Sequence, residues 1–240
     1  MLNNNKNTNI ISKIRKELKS EVDIQYKIGV KRYFKKPIKI YGVRTPIVRK
    51  IANKYFPKNL NKKELFKICE ILLKSDYCEE STIAFQWLFK IKNQYSISDF
   101  IIFENLLKKY VNNWSKCDDF CTHSFGSLIY QYPELLPKVL KWTKSPNHWL
   151  RRVSAVILIH PIQKDDKKIL KNVFQTAKIL LQDKDDLVQK GYGWMLKVAS
   201  DHWQKEVFNF VMENKKKMPR TALRYAIEKM PKNLKERAMK

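Results

Sequence analysis

The sequence has 240 residues, 44% of them hydrophobic, enough for a sizeable core. Five glycines argue against an all-β chain full of tight turns, and four cysteines are too few for a disulfide scaffold. The 49 Lys and Arg against 23 Asp and Glu leave a formal charge of +26, which calls for an anionic partner: nucleic acid most commonly, with anionic membrane or acidic protein surfaces as alternatives.

Residues 1–7 read as a frayed end. The polar, Asn-rich start has no apolar signal-peptide core, and no apolar run reaches the length of a membrane span. A cytoplasmic protein with reduced, buried thiols is expected. From Ile10 to Tyr33 apolar residues recur at helical spacing (Ile11, Ile14, Leu18, Val22, Tyr26, Val30), with Gly29 as a candidate interruption. Thr45-Pro46 reads as a helix start, with Thr45 as N-cap and Pro46 in the first helical position. Pro57 closes that helix.

Beyond this point helix-like segments come in pairs: 62–75 with 79–92, 98–111 with 116–131, 134–142 with 148–160, 166–182 with 185–200, and 202–213 with 218–229. The second members start near Glu79, Cys117, His148, Asp186 and Met218, at spacings of 31–38 residues. That period suits the antiparallel helix pairs of an α-solenoid. No linker divides the chain, so a single all-α domain over residues 1–240 is expected. Counted from these starts, Asp118, Arg152 and Trp194 share one helical face. On stacked pairs that face lines one concave side. Lys190, Lys197 and His160 extend it as a line of basic residues suited to phosphates.

Trp87, Trp142, Trp149 and Trp203 sit among apolar neighbours and read as core. Trp114 has polar flanks. Trp194 lies beside Gly193, with Gly191 nearby; helical glycines are tolerated where a neighbouring helix or a ligand must approach closely, and core packing stays open for Trp194. Cys117, Cys121 and His123 lack the further ligands of a tetrahedral site, so no metal is expected. No Gly-rich phosphate loop is present, and no cofactor is expected. Asp118 and Asp119 are either salt-bridge partners on a solvated face or a carboxylate aimed into a cationic groove.

Four stretches carry a resemblance. Gly42-Val43-Arg44-Thr45-Pro46, Trp114-Ser115-Lys116-Cys117-Asp118, Trp149-Leu150-Arg151-Arg152 and Gln189-Lys190-Gly191-Tyr192-Gly193-Trp194 resemble, in order, signature stretches of the AlkD-type, HEAT-like DNA alkylation repair glycosylases. The resemblance runs from Tyr33 to Tyr225. It implies a HEAT-like solenoid with a concave basic DNA-binding face, Asp118 as catalytic carboxylate and Trp114 and Trp194 as aromatic walls against the damaged nucleotide. Arg152 would hold phosphate near the lesion, and Tyr33, Arg44, Lys190, Lys197 and His160 would lie in the DNA-binding set. His160 stands where the family commonly has Lys, and Lys197 where it commonly has Arg, so a bidentate fork becomes a point charge there. The implied activity is hydrolysis of the N-glycosidic bond of N3- or N7-alkylated purines in duplex DNA, by a monomer without a membrane partner. The alternatives are a non-catalytic binder of branched or distorted DNA on the same scaffold, and a HEAT-type scaffold for an acidic protein.

Overall fold

A computed structural model describes residues 2–240, with side chains from residue 9 onward. The frayed end expected at residues 1–7 lies outside the described side chains. Every regular element among the described residues is helical, apart from one isolated bridge between Lys39 and Tyr77. The helices form two compact units, Met1–Asp119 and Phe120–Lys240.

The first unit holds α1 (Leu2–Ser20), α2 (Ile24–Lys31), α3 (Thr45–Lys54), α4 (Lys62–Lys74), α5 (Cys78–Lys90) and α6 (Asp99–Tyr110). Then α7 (Trp114–Phe120) ends one residue past the boundary. The run from Ile10 breaks at Asp23 rather than at Gly29, which lies inside α2. Asp23 is the N-cap of α2, and its carboxylate accepts the backbone N–H of Tyr26 at 2.8 Å. The cap of α3 is Arg44, one residue before the expected Thr45, and no side chain completes it. At α4 a capping box forms: Asn61 accepts from the Glu64 N–H at 3.0 Å, and Glu64 accepts from the Asn61 N–H at 3.1 Å.

Helices α4 and α5 pack face to face, with α3 also against α5. Leu65, Ile68, Cys69 and Leu72 of α4 and Ile83, Ala84 and Leu88 of α5 are buried in this core. Trp87 is fully buried, and its indole N–H donates to the Ala52 carbonyl at 2.7 Å, so its one polar atom is satisfied.

The second unit opens on a π-helical turn, Cys121–Phe125, followed by α8 (Gly126–Gln131), α9 (Leu136–Lys141), α10 (His148–Val156) and α11 (Ile159–Ile162). Then come α12 (Leu170–Leu180), α13 (Asp186–Ser200), α14 (Gln204–Asn214), α15 (Arg220–Ala226) and α16 (Lys232–Met239). The segment read as one helix over 148–160 breaks at Ile157–Leu158. Pro161 is the cause: it has no N–H, and its ring would clash with the carbonyl four residues earlier. Helix α13 is the hub, contacted by α10, α12, α14 and α15. It is capped by Asp185, which accepts from the N–H groups of Leu187 and Val188. The expected all-α fold is present, and of the expected pairs α4 packs on α5 and α12 on α13.

Of the four tryptophans read as core, Trp87, Trp142 and Trp203 are buried. Trp149 is only half-buried, with the His148 ring 4.6 Å from its own. Among the described residues no helix is long and apolar enough to cross a membrane.

Glu79 is a polar side chain that the first unit depends on. It is buried and accepts the backbone N–H groups of Tyr41, Gly42 and Val43 at 2.8–3.1 Å. Glu79→Ala leaves three donors without partners and is expected to destabilise the protein by about 3 kcal/mol or more in denaturant titration. A change below about 0.5 kcal/mol would show that this carboxylate does not hold the segment.

Candidate nucleic-acid interface

In the first unit three of the candidate residues, Tyr33, Trp114 and Asp118, lie on or against α7, and Arg44 stands apart. The Trp114 indole N–H donates to the Tyr33 carbonyl at 3.3 Å, and its ring stacks on Phe34 at 4.8 Å and 14°. This latches the loop after α2 onto α7, while the Tyr33 side chain stays 76% exposed. Asp118 lies one turn beyond Trp114 on the same helix face, partly exposed. The opposite side of α7 is anchored. Lys116, a residue that composition alone would put in water, is buried with its ammonium 2.5 Å from Asp76 and 3.1 Å from the Asn112 side-chain amide oxygen. Burial would raise the Asp76 carboxyl, but hydrogen bonds from Lys116 and Asn112 outweigh it and hold the group below its ordinary range. Asn113, also buried, accepts the Lys116 N–H at 3.0 Å.

Arg44 is engaged within its own unit. Its guanidinium lies 2.9 Å from Asp23 and 5.1 Å above the Tyr26 ring. The N–H of Tyr26 and the guanidinium of Arg44 together hold the Asp23 carboxyl low. Phe34 completes the latch and is not among the residues the sequence points to. The available signal was its place beside Tyr33, in an aromatic pair ahead of Lys35 and Lys36.

In the second unit Arg152 is buried, and its guanidinium donates to the Leu187 carbonyl at the start of α13. Its side chain crosses Gly191: a Cβ there would stand 3.1 Å from the Arg152 Cγ. Gly193 gives the same access on the other side of α13, where a Cβ would stand 2.7 Å from the Tyr225 Cβ and 2.9 Å from the Ala222 carbonyl oxygen. The two glycines therefore let α10 and α15 approach α13, and Trp194 rides, half-exposed, on the helix they clamp.

Lys190 and Lys197 flank Trp194 along α13. Lys190 pairs with Asp186 at 3.3 Å, and Lys197 pairs with Glu228 at 3.0 Å while lying over the Tyr225 ring. His160 is buried, with Nδ1 3.0 Å from the Thr122 carbonyl oxygen and the Tyr130 ring edge-on to its own. The neighbouring Arg151, not chosen from sequence, forks onto Asp183 at 2.6 and 3.2 Å.

Burial pushes Cys78 up to about 11 and Cys69 higher still, far from the thiolate that reacts. Among the described residues no cluster of His, Cys, Asp or Glu could hold a metal ion.

An all-α chain of packed helices, strongly cationic and with Trp114, Trp149 and Trp194 half-exposed on α7, α10 and α13, is the class that this fold and these sites define. The chain belongs to the family of DNA alkylation repair enzymes, whose model matches residues 14–230. A solved structure from Enterococcus faecalis, described as a predicted DNA alkylation repair enzyme, shares the fold with a TM-score of 0.75 at 17% identity. That match covers 88% of this chain and 98% of the other. No curated protein matches the chain.

The glycine contacts predict opposite signs at two positions. Gly193→Ala should cost about 1–3 kcal/mol of stability by forcing α15 off α13. Gly29→Ala, in α2 with open space around it, should be neutral or stabilising by up to about 1 kcal/mol. Denaturant midpoints of the two variants check this, and equal effects would contradict the packing described.

Proposed function

We propose that this protein is a DNA glycosylase that removes positively charged N3- or N7-alkylated purines from duplex DNA. The observation that carries this reading is the Trp114–Asp118 turn: a partly exposed carboxylate one turn from an indole fixed by Tyr33 and Phe34, in a chain of net charge +26. Membership of a DNA alkylation repair family supports it.

Such a chain attracts the phosphate backbone, and a carboxylate in the contact region weakens that attraction. Its value lies in the chemistry. Alkylation at N3 or N7 makes the purine a cation and a good leaving group, so a strong general acid is not needed. As the C1′–N9 bond breaks, the electron pair leaves with the base, which departs neutral, and the sugar becomes oxocarbenium-like. Asp118 stabilises that developing positive charge. Water then adds its oxygen to C1′, and Asp118 accepts the proton and passes it to solvent. Trp114 and Trp194 offer the negative faces of their rings to the cationic sugar and base. Tyr33, Arg44, Arg152, Lys190, Lys197 and His160 form the proposed DNA-binding set. Within it the buried Arg152 and His160 act mainly by holding α10 to α13 and α11 to the π-helical turn.

Asp118→Asn tests the assignment. It should lower the rate of 7-methylguanine release from duplex DNA by about 100-fold or more, while duplex affinity is kept or rises, because an anion has been removed from a DNA-facing surface. Chromatography of free base and a binding titration read the two quantities. Wild-type release rates in the Asn variant would sink the role of Asp118. Tight duplex binding with no base release by the wild-type protein would favour the non-catalytic DNA binder.

A further inference from the structure

A cationic hollow lies on α15, a helix packed against the Trp194 helix α13. A hollow of about 470 Å³ is lined by Arg220, Thr221, Arg224, Tyr225 and Glu228. Arg220 and Arg224 sit four residues apart on α15, about 6 Å along its axis, so they project from one face. The opposite face is buried through Ala222, Leu223 and Ala226. The contact of α15 with α13 at Gly193 fixes where that outward face stands.

Like charges at this spacing repel and weaken a helix, so the pair calls for a counter-charge. The acid of the hollow, Glu228, is paired with Lys197 at 3.0 Å, and Lys197 lies over the ring of Tyr225. Neither Arg220 nor Arg224 makes a hydrogen bond or ion pair among the described residues. The hollow therefore presents two guanidinium forks and the Thr221 hydroxyl beside an already neutralised carboxylate. Guanidinium is the side chain whose planar donors match phosphate oxygens two at a time.

The geometry points to a phosphodiester-binding site at Arg220, Arg224 and Thr221, which grips the DNA backbone outside the residues assigned to the lesion. The assignment rests on duplex DNA being the partner. Backbone contacts carry no sequence information, so this site adds affinity equally to damaged and undamaged duplex.

The test compares three full-length proteins: wild type, the Arg220→Gln/Arg224→Gln double variant, and a charge-matched control, Lys171→Gln/Lys178→Gln, altered at two exposed lysines of α12. Affinity for an undamaged duplex is titrated from 50 to 200 mM salt, with thermal melts to confirm folding. The double variant should show a slope of log affinity against log salt shallower by about 1.8, two phosphates at about 0.9 each. The wild-type advantage then shrinks roughly tenfold across that salt range, while the control keeps the wild-type slope. An unchanged slope in the double variant, or an equal change in the control, overturns the site while leaving DNA binding intact. If wild type does not bind duplex at all, the DNA reading itself fails and takes this site with it. A wild-type slope in the double variant, together with loss of its binding to inorganic tripolyphosphate, would mark a small-phosphate site and also overturn the assignment.

Discussion

Twenty-six positive charges in excess must be held in one folded chain, and the placement of its few acids decides where that excess is felt. Most acids that can be followed are engaged locally. Glu17 holds Lys54 and Tyr55, Asp99 holds Lys62, Asp183 holds Arg151, and Asp201 holds Lys229. Others are spent on the backbone: Glu79 on three N–H groups, Glu64 in a capping box, and Asp185 at the head of α13. The more exposed of these pairs, Glu17–Lys54 and Asp201–Lys229, add little stability each. Their larger effect is to quiet particular cations and leave others, such as Arg220 and Arg224, to face an outside anion. A carboxylate placed beside a half-exposed tryptophan in such a chain matters because anions are scarce there.

Much of the fold was legible as period. The segments at 62–75 and 79–92 are α4 and α5 to within two residues, and 185–200 is α13. Amphipathic spacing is a local property and survives folding. Errors fell where another local rule competed with it. In the apolar run from Ile10, Gly29 is the expected interruption, yet Asp23, a better cap, sets the break. Pro161 ends α10 early through a carbonyl four residues upstream, and Arg44 takes the cap position expected of Thr45.

The site was legible in part, for a physical reason. Trp114 and Asp118 share a face because four residues make about one turn, which any reader of the sequence can count. The latch of Trp114 on Tyr33 and Phe34 joins residues some eighty positions apart, and Lys116 is buried against Asp76 forty positions away. No spacing encodes such pairs. Gly191 and Gly193 stood between these cases: their cost in a helix announced a close approach, but only the packing shows that α10 and α15 are what approaches.

The chemistry proposed for Asp118 depends on the charge of the leaving base, and lesion charge is therefore the most direct probe. Duplexes carrying either cationic 7-methylguanine or neutral ethenoadenine at the same position are incubated with wild-type protein, and free base is measured by chromatography. A carboxylate that only steadies a cationic sugar, with no strong acid to protonate the base, predicts release of 7-methylguanine and retention of ethenoadenine. Release of both at similar rates would contradict it.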